Sequence, residues 1–280
     1  MVGKSGSIFN RINDITNSQD KTINRLATGK RIATASDDPA GLAISMGMEA
    51  QTRGLARQIT NRQDEISLMQ VAEGGMSGIS DAVQRMRELS IQSANGTLTA
   101  SDREAIQVEI DQLNQHIDQT ANNTEFNTKK ILDGSLKMTL QNGNDFSIPN
   151  MDSTSLGVSL IDLSTQESAQ TIEHIDQGLP HEDDTAQENA QAAIGYADQA
   201  LSKLNSARTE IGAVTNGISA EVNSLTQEMV NTLSANSRLA DADFAAEIVN
   251  LTKAKITLEA ATQVFKIDNA MKGQVLRLLA

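Results

Sequence analysis

The 280-residue chain has no cysteine and no tryptophan, one tyrosine, five phenylalanines and three histidines. Without thiols there are no disulfide frameworks, thiolate nucleophiles or cysteine-bearing zinc and iron sites. The shortage of aromatics bears on shape. With aromatic residues at 2%, the interior must be built from Leu, Ile, Val, Met and Ala along thin seams, as long helices build it. The first expectation is therefore an elongated, mainly helical protein. No apolar run reaches the roughly 18 residues that a membrane span needs, so no membrane insertion is expected. The polar start MVGKSGSIFN lacks the apolar stretch of a secretory signal. If the protein leaves the cell, another route carries it.

Positive charge is also scarce, since 23 basic against 36 acidic residues leave a net charge of -13. That argues against nucleic acid as a partner, because binding it needs a basic face. The distribution is uneven. Residues 1–60 and residues 251–280 each carry an excess of Lys and Arg, whereas 141–200 contains acidic residues and neither Lys nor Arg. The middle reads as a solvated acidic segment between two ends of matching sign.

Apolar spacing organises the rest. Ile8, Ile12, Ile15, Ile23 and Leu26 step near 3.6 and predict a helix ending at Thr28-Gly29. Ser36-Asp37-Asp38-Pro39 then signals a helix start, with Asp38 as N-cap and Pro39 at the first helical position. The helix that follows, through Leu55, Met69, Met76, Ile79 and Met86, meets no proline before Asn95-Gly96. It spans roughly 55 residues, on the order of 80 Å at about 1.5 Å per residue. Ser101-Asp102-Arg103-Glu104 reads as a capping box for a second helix with Ile106, Ile110, Leu113 and Ile117 on one face, returning along the first. Near Asp133-Gly134 the period changes to two. Leu136, Met138 and Leu140, a turn at Asn142-Gly143, and Phe146 with Ile148 predict a β-hairpin, the single β-element expected. Residues 164–184 read as a short helix and loop. A further rod of about 45 residues follows from Ile194 through Leu233, and a last helix places Phe244, Ile248, Leu251, Leu258, Phe265, Met271, Val275 and Leu278 near one face. An apolar stripe at the chain's end needs cover; the first helix is the candidate.

Catalytic and metal chemistry find little support. His181-Glu182-Asp183-Asp184 starts like a zinc-peptidase motif, but position 185 is Thr where the second His is needed. His174 and His181 fit an incidental polar loop, and the Asp37-Asp38 pair is explained by capping. No phosphate-binding glycine loop or nucleophile elbow occurs, and no cofactor or metal is expected. Asn95-Gly-Thr, Asn122-Asn-Thr and Asn250-Leu-Thr match the glycosylation triplet, a pattern common by chance in a chain rich in Asn and Thr.

The motifs resemble those of one family. Leu26-Ala27-Thr28-Gly29-Lys30-Arg31-Ile32, then Ala35-Ser36-Asp37-Asp38-Pro39-Ala40-Gly41-Leu42-Ala43-Ile44, are followed by Gln84-Arg85-Met86-Arg87-Glu88-Leu89, Thr124-Glu125-Phe126-Asn127 and Ser155-Leu156-Gly157. Arg208 with Ile211-Gly212-Ala213-Val214, Ser237-Arg238-Leu239-Ala240-Asp241-Ala242-Asp243 and the terminal Val275-Leu276-Arg277-Leu278-Leu279 complete the order. In that order they resemble a bacterial flagellin of short form, lacking large variable outer domains.

The resemblance implies a structural subunit, not an enzyme, that self-assembles into the flagellar filament as a homopolymer. The expected fold is mainly α, an elongated antiparallel long-helix bundle or coiled coil with a small β-hairpin region. Residues 1–35 with 246–280 would be terminal helices forming the inner filament tube, 36–138 with 186–245 the long-helix rod, and 139–185 a hairpin and acidic outer loop. The expected assembly stripe is Ile8, Ile12, Ile15, Ile23, Leu26, Leu251, Leu258, Phe265, Val275 and Leu278. Further implied partners are an export chaperone, filament cap and junction proteins. The implied location is extracellular, reached without a cleaved signal peptide. Arg85, Leu89 and Glu109 occupy positions of an outer patch that could meet a vertebrate innate receptor or a neighbouring subunit. A hook-filament junction adaptor is the alternative reading.

Overall fold

A computed structural model describes residues 2–139, 143, 145–163 and 182–279, with the side chains of 2–6, 182–186 and 275–279 outside the description. The elements are α1 (Val2–Thr28), α2 (Pro39–Ser93), α3 (Ala100–Asn123), β1 (Glu125–Phe126), β2 (Lys129–Lys130), β3 (Lys137–Thr139), β4 (Asp145–Ser147), α4 (Ser153–Leu156), α5 (Glu182–Ala240) and α6 (Phe244–Leu279). The chain falls into two compact units, Met1–Ile59 with Ser224–Ala280, and Thr60–Asn223. Among the described residues no helix is long and apolar enough to cross a membrane.

The long helices begin where the polar residues direct. Asp38 Oδ1 accepts from the Gly41 amide at 2.9 Å, so the expected cap of α2 forms. Its neighbour does different work. Asp37 accepts from the amides of Ala33 (3.3 Å) and Thr34 (3.1 Å) and from the Thr34 hydroxyl (3.0 Å), folding the preceding turn. Gly41 sits in a close contact: a Cβ there would stand 2.7 Å from Ile32 Cδ1 and strike the Asp38 carboxylate, so one of the two must shift to admit it.

The box that opens α3 is displaced from the expected one. It is formed by Thr99, whose side chain accepts from the Asp102 amide while Asp102 accepts from the Thr99 backbone. Ser101 lies inside the first turn, and aspartate at the third helical position serves as well as the expected Glu104. α5 is also longer than expected, at 59 residues.

In the second unit α2 is antiparallel to both α3 and α5. Arg85 meets Glu109, and Arg62, Glu73 and Arg87 meet Glu221, Arg208 and Asp198 in reverse order. The core runs through Met69, Met76, Ile79, Met86 and Leu89 of α2, Ile106, Ile110, Ile117 and Ala121 of α3, and Ala190, Ala193, Ala197, Ala200, Leu204, Ala207 and Ile211 of α5. Alanines at alternating steps of three and four let α5 approach closely.

Two small sheets close this core. β3 and β4 pair as expected, with Met138 opposite Phe146; Gly143 has φ +78, while Leu140 and Asn142 lie outside the described residues. A second ladder, β1 with β2, was not anticipated. Asn127 (φ 50) and Thr128 (φ 65) make its two-residue turn, the mirror-type geometry that hairpins favour. Residues 145–163 are more than an outer loop: Phe146, Ile148, Met151, Leu156, Val158, Ile161 and Leu163 are all buried in the core. The expected helix and loop at 164–184, with His174 and His181, lie outside the described residues apart from the start of α5.

Candidate functional site

The first unit contains the terminal helices. α1 turns inward Ile8, Ile12, Ile15, Gln19, Thr22 and Leu26, spaced four and three apart, each half-buried or buried. α6 answers with Glu247, Leu251, Ala254, Leu258, Ala261 and Phe265 at the same alternation. This is a heptad seam, and α1 and α6 pack along it. The end of α1 meets the start of α6: Arg25 Nη1 lies 3.2 Å from Glu247 Oε1, and a Cβ on Gly29 would touch the Phe244 ring at 3.8 Å. The pair therefore runs antiparallel.

The link after α1 is fastened to the join between α5 and α6. The Arg31 amide donates to Ala240 O at 2.7 Å, and the Ala242 amide donates to Gly29 O at 2.9 Å. Ile32 is buried there. Glu247 is nine-tenths buried, and among the described residues its Oε2 has no partner, nor has Arg25 Nε. A buried acceptor left in this state is costly.

The expected assembly stripe divides in two. Ile8, Ile12, Ile15, Leu26, Leu251, Leu258 and Phe265 belong to the seam inside the chain, whereas Ile23 is 43% exposed and lies off it. Ile248 and Met271 are likewise exposed and do not share the face of Leu251; Phe244, one heptad before Leu251, lies on that face at the end of the seam and is also exposed. The side chains of Val275 and Leu278 lie outside the description. At about 100° per residue, Val249, Ile256, Val264, Ile267 and Met271 cluster opposite the seam, and all are exposed, Val249 at 65%. Where the sequence pattern predicts one apolar face for α6, the helix has two. A helix apolar on opposite sides calls for burial all round, and within the chain α1 covers one side.

The outer patch also differs from expectation. Arg85 Nε donates to Glu109 at 2.8 Å and its Nη1 to Glu88 at 3.2 Å, all on exposed side chains. The hydrogen bond from Arg85 to Glu109, with a smaller part from Glu88, raises the guanidinium pKa further above its ordinary value. Leu89, at 2% exposure, packs in the core and presents no surface beside them. It stands four positions on from Arg85, yet its side chain belongs to the buried cluster. Among the described residues no group of three metal-ligating side chains occurs.

Comparison with known proteins is decisive. Residues 5–137 match the bacterial flagellin N-terminal helical region, and residues 194–279 the bacterial flagellin C-terminal helical region. The chain belongs to the flagellin family. A flagellin of Halalkalibacterium halodurans is 36% identical over 94% of this chain and 92% of its own. The flagellar filament 33 kDa core protein of Treponema phagedenis is 37% identical over the same shares, and a Bacillus subtilis flagellin is 34% identical over 97% and 96%. A flagellar hook-associated protein of Vibrio parahaemolyticus aligns with TM-score 0.57 over 73% of this chain and 100% of its own, at 16% identity. That likeness concerns the fold alone. As a flagellin, the chain is a structural subunit of the bacterial flagellar filament.

Proposed function

We propose that filament growth runs through the first unit and that a second copy of the chain covers the outer face of α6. The observation that carries this is the exposed row Val249, Ile256, Val264, Ile267 and Met271, opposite the seam with α1. Leaving such a row in water is unfavourable by about 25 cal/mol per Å² of apolar surface, so association of like subunits is its natural relief. In this reading 1–35 and 246–280 form the inner tube, 36–138 with 186–245 the surrounding rod, and 139–185 the outermost part. The row also supplies the driving force for a homopolymer.

The test is a full-length chain carrying Ile256→Lys and Ile267→Lys. Both positions are exposed in the monomer, so its helical circular dichroism should be unchanged, while electron microscopy and sedimentation should find no filaments. Filaments of normal length and abundance would overturn the proposal.

The same reading makes the chain an exported, extracellular protein whose N-terminus is not cleaved, a structural subunit without catalytic work. Export chaperone, filament cap and junction proteins are its further partners. Mass spectrometry of secreted protein should find the N-terminus intact or lacking only Met1. The exposed Arg85–Glu109 pair supports a contact surface for a neighbouring subunit or a vertebrate innate receptor, without the buried Leu89. Unchanged receptor signalling by an Arg85→Ala, Glu109→Ala monomer would remove the receptor from that pair.

A further inference from the structure

The turn between α2 and α3 holds an Asn-Gly pair that the assembly function does not use. Asn95, Gly96 and Thr97 are all exposed. The Thr97 amide donates to Asn95 Oδ1 at 3.2 Å, and the Leu98 amide donates to Asn95 O at 3.1 Å. Among the described residues the Gly96 amide, between them, donates to no acceptor. Its nitrogen has no bond to any of these that must first break, and glycine puts no side chain beside it. The Thr97 amide meanwhile holds the Asn95 carboxamide by its oxygen, where negative charge would build during attack on Cγ.

We propose that Asn95 is a site of spontaneous intramolecular deamidation, a slow chemical mark written into the α2–α3 turn. The Gly96 nitrogen gives its proton to solvent base and attacks Asn95 Cγ. A carbon–nitrogen bond forms within a five-membered succinimide, the bond from Cγ to Nδ2 breaks, and ammonia leaves with a proton from water. A water molecule then opens the ring at one carbonyl or the other, leaving an aspartyl or an isoaspartyl residue at position 95. Nothing is oxidised or reduced, and water is the co-reactant. Either product adds a negative charge to the turn, and the isoaspartyl product also lengthens the main chain by one carbon.

The molecule carries its own control. Asn216-Gly217 is the same dipeptide, and both residues are exposed, but it lies inside α5 (Glu182–Ala240). There the Gly217 amide belongs to the helical hydrogen-bond ladder, and ring closure must wait for local opening of the helix. Exposure is shared; backbone freedom differs.

Purified full-length protein is kept in mildly alkaline buffer at physiological temperature, sampled over days and analysed peptide by peptide. The peptide containing Asn95 should gain one mass unit and accept methyl groups from an isoaspartyl methyltransferase, on the order of tenfold or more faster than the peptide containing Asn216. Equal rates, or an unchanged carboxamide at position 95, would overturn the proposal. A second arm uses Gly96→Ala. The φ of Gly96 is not among the positive ones, and the new Cβ would meet the flexible end of Gln187 at 3.0 Å, so the fold accommodates it. Circular dichroism should be unchanged and conversion at Asn95 should slow severalfold. An undiminished rate would mean direct hydrolysis of the side chain and would exclude the attack by the Gly96 nitrogen.

Discussion

The two units of this chain spend their apolar residues differently. Of the large hydrophobic side chains exposed among the described residues, only Val71, Ile91, Val108 and Leu160 lie in the second unit; the rest, from Phe9 to Met271, belong to the first. Burial is distributed the opposite way. In the second unit the helices and both sheets converge on one core, whereas the buried hydrophobic residues of the first are Ile32, Leu55, Leu225 and Ala240. One unit satisfies its own hydrophobic demand. The other leaves most of its large apolar side chains exposed, among them the row on α6 opposite the seam with α1. On the reading proposed above, stability and assembly fall in different parts of one chain.

The contrast is broken most directly by shortening one side chain in each unit. Ile110→Ala opens a cavity in the saturated core, where Ile110 is fully buried, and should cost about 2–5 kcal/mol. Urea titration of monomer would read this as a lower midpoint. Leu258→Ala removes a half-buried seam residue, and in monomer should cost less than half as much, because part of the side chain already faces water. In filaments the order should change for the outer face: Ile256→Ala should leave the monomer midpoint in place and lower the temperature at which filaments dissociate. Equal monomer costs for Ile110→Ala and Leu258→Ala would mean that the first unit is as well packed as the second.

Next in size comes the link at the start of α2. Gly41→Ala places a methyl group 2.7 Å from Ile32 Cδ1 and against the Asp38 carboxylate that caps the helix. Overpacking of this kind costs about 1–3 kcal/mol. Asp38→Ala, which removes the cap and leaves the packing, should cost about 1 kcal/mol. Thermal unfolding of both variants checks the order. If Gly41→Ala proved the milder of the two, Ile32 would have room to move and the tight contact would carry little weight.

How much of this was legible beforehand follows the physics of each signal. The helices were readable because leucine, isoleucine and methionine repeat at helical spacing without proline, and the Asp38-Pro39 start fixed one boundary. Alanine was the main blind spot. Ala190, Ala193, Ala200 and Ala207 are core residues of α5, but an alanine gives little hydrophobic contrast to a periodicity count; of this row Ala197 alone stood out, between Ile194 and Leu201. The Asn127-Thr128 turn was missed because Thr is an unusual residue at positive φ. The two-faced nature of α6 was hidden for another reason: Leu251, Leu258 and Phe265 step by heptads along one stripe, while Met271, six residues beyond Phe265, falls about 240° further round and so on the far side. Leu89 illustrates the limit for surface patches, since its spacing from Arg85 placed it near the pair but could not tell that it points into the core.

The smallest expected effect concerns acid. Hydrogen bonds from the Thr34 amide first, then the Thr34 hydroxyl and the Ala33 amide, hold the Asp37 carboxyl below its ordinary pKa. In the second unit the Thr99 hydroxyl, followed by its amide, does the same for Asp102. A carboxyl whose pKa is depressed by folding stabilises the native state fully above its unfolded value, and that contribution fades as pH falls through the folded one. Asp37→Asn and Asp102→Asn should therefore lower the thermal midpoint slightly at neutral pH and converge with the parent protein well below about pH 4. The two acids differ in where they act. Asp37 folds the turn that leads from the terminal helix into α2, beside the point where Arg31 binds the backbone at Ala240. Asp37→Asn should thus also raise the protein concentration needed for filaments to form, whereas Asp102→Asn should leave it unchanged. An equal effect of both on assembly would show that the first unit's link is no more tied to polymerisation than a helix cap in the second.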